Sequence, residues 1–472
     1  MSSITLGVII GNRDFFPDVL VGEARKDLET LLAAAGVGAV MLTPDDTKLG
    51  GVETYVDAQK CAELFRRHRD TIDGVLVSLP NFGDEKGVAD TLKLAKLDVP
   101  VLVQAYPDDL NALGVERRRD AFCGKISVCN NLKQAGIRFS LTTRHVVHPT
   151  EPTFQADLGR FLAVCRTVKG LRHARFGAVG ARPGAFNTVR YSEKILEKYG
   201  ISVTTIDLSD VLGRANRLSD GDPKVKAKLD AIRAYAPSPG VPQDKLVLMA
   251  RLGVVLDDFI AANGLHATAI QCWTSLQQNF GCNVCTCMSM MSQALKPSAC
   301  EVDITGALSM YALSLASQRP SALVDWNNNY GGDENKCVLF HCGNWPKDFA
   351  PDTTIANAPI LGSTLGVENT YGAMAGRTPA GPLTYARFTT DDAAGVIRGY
   401  VGQGTTTADE LNTFGHRAVA QIPQLQRLMR FVCENGFEHH VAVNPSHCAD
   451  VIVEACGKYL GWDIHEHGGV DR

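Results

Sequence analysis

No run of 18 apolar residues occurs in the 472-residue chain, so no stretch of it reads as a membrane-spanning helix. The opening segment, Met1 to Ile10, is apolar but lacks a basic n-region and a small-residue cleavage site. It reads as a buried first strand and not as a signal peptide, and a cytoplasmic protein is the expectation. Basic charge is not in excess: 47 Lys and Arg stand against 51 Asp and Glu, a net charge of -4. That balance carries no electrostatic footprint for nucleic acid, and there is no acidic tail. The phosphate-binding GxGxxG and Walker lysine patterns are missing, as is the G-x-S-x-G elbow of a Ser-His-Asp hydrolase. Internal repeats and low-complexity tracts are absent too.

Cysteine is present in quantity, with 14 residues, but not in a zinc-finger pattern. Cys282-x-x-Cys285-x-Cys287 has no second closely spaced Cys/His pair, and Met288, Met290 and Met291 follow at once. Packing of free thiols in a core is preferred to zinc or to a disulfide framework.

The composition, 45% hydrophobic and 21% charged, is that of a soluble globular chain, and the length calls for two or three domains. The first third alternates apolar strands (4–10, 38–43, 74–79, 99–104) with amphipathic helices (18–35, 56–68, 86–96), the mark of βαβ units in a parallel sheet. Loops at the strand C-ends, where such sheets bind ligands, include Gly11-Asn12-Arg13 and Pro80-Asn81-Phe82. A second α/β unit begins near residue 170, with a strand at 175–179, a helix at about 189–199 and a strand at 202–206. From about 320, short strand-like runs separated by Gly, Pro, Asn and Thr suggest an antiparallel or barrel-like domain, and a βα element ends the chain. The expected fold is therefore α/β, with two Rossmann-like parallel-sheet domains (1–168 and 169–319) and a C-terminal antiparallel β-barrel-like domain (320–472).

Four segments carry groups suited to chemistry. In Cys300-Glu301-Val302-Asp303-Ile304, Asp303 reads best as the N-cap of the apolar helix that follows. Glu301 lies among cysteine and apolar residues, where a carboxylate calls for a metal or another cation. Val324-Asp325-Trp326 ends an apolar run in a carboxylate, and Asn327, Asn328 and Asn329 follow as a hydroxyl-binding loop or an ordinary turn. His341 ends an apolar run and precedes Asn344. His439 and His440 are adjacent; in a strand they face opposite ways, so at most one joins a given site. Together these supply carboxylates and imidazoles suited to Mn²⁺ or a similar divalent ion.

These motifs resemble those of the L-fucose/L-arabinose isomerase superfamily along most of the chain. Cys300-Glu301-Val302-Asp303-Ile304-Thr305-Gly306-Ala307-Leu308 resembles the family's first carboxylate motif. Asp325, 24 residues after Glu301, matches the aspartate of the fucose branch, and His440 matches the C-terminal histidine ligand. His341 corresponds to the additional histidine of the arabinose branch. Gln271 resembles a glutamine that contacts substrate hydroxyls, and Phe82 an aromatic that stacks on sugar carbons. Arg13 stands where arabinose isomerases usually have glutamine, and an anionic sugar such as a 6-sulfonated hexose would suit it.

The resemblance implies an aldose–ketose isomerase working on an open-chain sugar through an enediol. Glu301 and Asp325 are then the acid/base pair, and Glu301, Asp325, His440 and His341 the ligands of Mn²⁺ or another divalent cation. Arg13, Phe82, Gln271, Trp326, Asn344 and His439 are the expected substrate contacts. A homo-oligomer (trimer, tetramer or hexamer) with sites near subunit interfaces is implied as well. The alternatives are a non-catalytic sugar-binding protein and a metal-dependent epimerase or aldolase.

Overall fold

The protein is described by a computed structural model over residues 4–468. It divides into two compact units, Met1–Lys169 and Gly170–Arg472.

The first unit contains β1 (Thr5–Ile10), α1 (Val19–Ala34), β2 (Gly38–Val40), α2 (Tyr55–Arg67), β3 (Gly74–Leu79), α3 (Glu85–Ala95), β4 (Val101–Ala105), α4 (Ala121–Gln134), β5 (Ser140–Leu141) and α5 (Pro152–Arg172). The five strands form one parallel sheet in the order β2-β1-β3-β4-β5. Side-chain alternation along β1 explains why both faces are covered. Leu6, Val8 and Ile10 join a core with Leu28 of α1 and Phe154 and Phe161 of α5, while Ile9 packs with Phe65 of α2 and Val128 of α4. Helix α2 begins where expected because Thr54 and Asp57 form a reciprocal capping box.

The second unit opens with β6 (Arg175–Val179), α6 (Glu193–Lys198), β7 (Ser202–Ile206), α7 (Leu208–Arg217), α8 (Pro223–Tyr235), α9 (Gln243–Asn263), β8 (Ala267–Ile270), α10 (Ser275–Asn279), α11 (Cys285–Gln293), β9 (Ser298–Ala299) and α12 (Ile304–Ser317). Its parallel sheet runs β7-β6-β8-β9. The helix expected at 189–199 is shorter, because Ser192 caps α6 by accepting from the Ile195 N–H.

The remaining strands are β10 (Ala322–Tyr330), β11 (Asp333–His341), β12 (Thr354–Asn357), β13 (Tyr371–Arg377), β14 (Gly381–Asp391), β15 (Val396–Thr407), β16 (His416–Gln421), β17 (His440–Asn444) and β18 (Asp463–His467). Successive antiparallel pairings β16-β11-β10-β17-β14-β15 return to β16 and close a barrel. The sheet as a whole is mixed and not plainly antiparallel, since β13 joins β16 and β18 joins β15 in parallel. Asn327, Asn328 and Asn329 form neither a binding loop nor a turn. They continue β10 through two register irregularities, and Gly331 and Gly332 make the hairpin turn.

Helix α12 is buried over almost its whole length and packs against β8, β14 and β17. Its small residues, Gly306, Ala307, Ser309, Ala312 and Ser314, permit close approach on several sides. The N-terminus of α12 therefore lies where the parallel sheet and the barrel meet. No helix among the described residues is long and apolar enough to cross a membrane.

Candidate active site

Three barrel strands and one sheet end bring the expected ligands together. Asp325 on β10 is in register with His440 at the start of β17 and with Phe340 on β11, so His341 at the end of β11 falls beside that pair. Glu301 enters from the C-terminal end of β9, after which the chain turns sharply into α12. Glu301 and Val302 both adopt left-handed backbone, with φ of 55° and 57°. Such a conformation is a marked departure for a β-branched valine, and consecutive left-handed residues of this kind concentrate at functional sites.

The side chains then converge. Glu301 is 3% exposed, His341 4% and His440 1%. Oε1 of Glu301 accepts from Trp273 Nε1 at 2.8 Å and from the Cys272 thiol at 3.2 Å. Its Oε2 is buried without a hydrogen-bond partner, 3.7 Å from His341 Nε2 and 3.6 Å from His440 Nε2. Oδ1 of Asp325 is likewise buried and unpaired, 3.5 Å from His440 Nε2 and 3.7 Å from His439 Nε2. All four separations are too long for hydrogen bonds. Two buried carboxylate oxygens left unpaired around an imidazole are costly unless a cation completes them, so the donor set fits a divalent metal. Glu301, His341 and His440 form one compact ligand group, and Asp325, His439 and His440 another that shares His440.

Behind His440 stands a charged network. His440 Nδ1 donates to Asp303 Oδ2 at 2.9 Å. Asp303 also receives two bonds from Arg387, at 2.6 and 3.0 Å, and caps α12 by accepting from the Gly306 N–H at 2.8 Å. Arg387 continues to Glu438 at 3.0 Å, and Thr389 donates to the same carboxylate at 2.7 Å. Burial would raise the Asp303 carboxyl, but the Arg387 guanidinium and the His440 contact hold it well below the usual carboxylate range. An ionised Asp303 only accepts, so Nδ1 of His440 carries the hydrogen and its Nε2 lone pair faces Glu301 and Asp325. For Glu301, burial again acts upward, and the His341 imidazole facing it is the largest group acting against burial, leaving the carboxyl below its ordinary value.

The expected substrate contacts are distributed unevenly. Gln271 follows β8, and its Oε1 accepts from the Ala181 N–H at 2.9 Å. Asn344 Nδ2 donates to the Cys300 thiol at 3.3 Å, while its buried Oδ1 is unpaired. His439 does reach the cluster, against the expectation that only one of the adjacent histidines joins a site. It lies on a bend before β17 begins, where strand alternation does not apply. Trp326 stands on the face of β10 opposite Asp325. Its Nε1 donates to the Tyr400 hydroxyl at 3.0 Å and its ring packs edge-on against Tyr385, so it belongs to the barrel core and does not line the cluster. In the first unit, the Arg13 guanidinium lies 4.3 Å above the Phe82 ring, donates to Gly83 O and pairs with Glu85.

Sequence reasoning missed Phe186, Arg387 and Glu438. The Phe186 ring is half-buried, with its centroid 5.4 Å from Trp273, 5.6 Å from His439 and 5.7 Å from His440. An arginine inside the apolar run Leu383–Phe388 was the available signal for Arg387, which is completely buried. The cysteines are free thiols; Cys282 and Cys287 pack in an apolar core with Met288 and Met291.

Two family models match the chain: fucose/sulfoquinovose isomerase, N-terminal domain, over residues 7–172, and L-fucose isomerase, C-terminal domain, over residues 339–467. Similar proteins include a sulfoquinovose isomerase of Alkalicoccus urumqiensis, 25% identical over 300 residues, which are 63% of this chain and 66% of the relative. One from Clostridium sp. (strain MSTE9) is 26% identical over 49% of this chain and 51% of its own length. One from Priestia aryabhattai is 24% identical over 78% of this chain and 77% of its own length. The first two alignments thus span less than two thirds of those relatives. Matches to the models of both terminal domains and to several relatives make the chain a member of the fucose isomerase-like superfamily.

Proposed function

We propose that the protein is a divalent-metal-dependent aldose–ketose isomerase acting on an open-chain sugar through a cis-enediol. The observation that carries this reading is the convergence of two buried, unpaired carboxylate oxygens, from Glu301 and Asp325, on the Nε2 of His440. Glu301, Asp325 and His440 would hold the cation, Mn²⁺ in this reading. When bound, it supplies electrostatic stabilisation of negative charge on the sugar O1 and O2.

The protein's own groups move the protons. One of the two carboxylates takes the C2 proton of the aldose and the other returns a proton to C1 of the enediol, while the hydroxyl proton of O2 passes to O1, giving the ketose. Trp273 and Cys272 keep Glu301 oriented through its Oε1, leaving Oε2 for the reaction. Asp303 fixes the ring of His440. Phe186 offers an apolar face on which sugar carbons can lie, and Gln271 and Asn344 offer amides for hydroxyls.

The substrate we favour is a hexose modified at C6, sulfoquinovose first, because the named relatives are sulfoquinovose isomerases. Arg13 is the candidate for the anionic group, with Phe82 beside it. In the family's manner they would act within a homo-oligomer, and Glu85 must release Arg13 for this to happen. Incubation with Mn²⁺ and sulfoquinovose, L-fucose, D-arabinose or L-arabinose, followed by NMR, should reveal a ketose. Glu301→Gln should abolish its formation, and normal turnover by that variant would refute the assignment.

A further inference from the structure

His341 and His440 meet the same carboxylate, yet their other ring nitrogens are in opposite situations. Nδ1 of His440 faces an acceptor, the Asp303 carboxylate. Nδ1 of His341 faces a donor: the backbone N–H of Cys342 points at it from 3.0 Å, and the Cys342 thiol lies 3.5 Å away. A neutral imidazole has one N–H and one lone pair. With its Nδ1 lone pair taken by a backbone N–H, which cannot rotate away, His341 carries its hydrogen on Nε2. That nitrogen has no lone pair for a cation; it presents an N–H toward the unpaired Glu301 Oε2, 3.7 Å away. The backbone fixes the arrangement, because Gly343 follows at φ +122° against the backbone of Met374 and Cys342 is locked between β11 and that turn.

We propose that His341 is not a ligand of the cation but a catalytic hydrogen-bond donor, its Nε2–H directed at the sugar oxygen that becomes negative as the enediol forms. This inference rests on the isomerase reading above. It divides the two buried imidazoles by role: His440 accepts the cation and His341 stabilises charge on the substrate. A donor placed in advance at such an oxygen is typically worth about 10²–10³ in kcat.

The test compares the full-length protein with its His341→Ala, His341→Gln and His440→Ala variants. Mn²⁺ affinity is read from the free-ion EPR signal, and kcat and KM from the aldose that the parent converts. Loss of a metal ligand should weaken Mn²⁺ binding by at least about tenfold in His440→Ala, whereas both His341 variants should stay within about threefold of the parent. His341→Ala should lose about 10²–10³ in kcat, and His341→Gln, whose amide N–H reaches the same place, should recover most of it. Mn²⁺ loss in His341→Ala equal to that in His440→Ala would make His341 a ligand and overturn the proposal. Parental kcat in His341→Ala, or no recovery by a folded His341→Gln, would overturn the donor role. If the parent binds Mn²⁺ but converts no aldose, the isomerase reading fails and the donor role with it. The binding comparison still decides whether His341 is a ligand.

Discussion

Asp303 does three things with one carboxylate: it caps α12, neutralises Arg387 and sets the tautomer of His440. Removing one member of a buried ion pair strands the other, so Asp303→Asn should cost about 3–5 kcal/mol of stability, measured by urea unfolding at pH 7. Its pH dependence has a definite sign. The native carboxyl is held well below the unfolded value of about 3.9, so at low pH the unfolded chain binds the proton first. The stabilisation is complete above the unfolded value and is lost as pH falls toward the native one. The parent should therefore lose stability below about pH 4, and Asp303→Asn should show a flatter acid limb. The cap role of Asp303 was legible from its place before an apolar helix. Its hold on His440 was not, because the two residues lie 137 positions apart and only the packing of α12 against β17 brings them together.

At the level of elements, strand ends make the site and turns fix its angles. β10, β11 and β17 deliver Asp325, His341 and His440, and the left-handed step at Glu301 and Val302 swings the fourth group in from β9. The turn after β11 depends on a residue without a side chain. A Cβ on Gly343 would collide with the carbonyl oxygen and amide nitrogen of Met374, in a backbone conformation that L residues rarely adopt. Gly343→Ala should consequently destabilise the protein by about 1–3 kcal/mol or more and disturb His341, visible as a lowered urea midpoint. The apolar runs announced these strands, but β10 and β11 run beyond them. Polar residues such as Asn327–Asn329 extend β10 because an antiparallel hairpin leaves one face in water.

For the molecule as a whole, the second unit holds every group of the metal-compatible cluster, and the first is a doubly wound sheet with its own cores. Cation binding to the native state alone should stabilise it by mass action, by about 2.7 kcal/mol at a free concentration 100 times Kd. Differential scanning calorimetry with Mn²⁺ and with a chelator should register this as a rise of several degrees in Tm. Asp325→Asn should largely abolish the rise, and an unchanged Tm in the parent would argue against a cation at this site.

The sequence by itself determined the α/β units, the barrel-like end and the residue types of the site, because periodicity and buried polar groups are local signals. It also pointed to the superfamily through the spacing of Glu301 and Asp325 and the pair His439–His440. Only the tertiary structure decided which side chains share a face. Trp326 turned into the barrel, His439 came onto the site from a bend, and Phe186 arrived from the loop between β6 and α6. It also decided the hydrogen positions of His341 and His440. A proton's place on an imidazole depends on what stands opposite the other nitrogen, and that is set by register and turn geometry between distant segments.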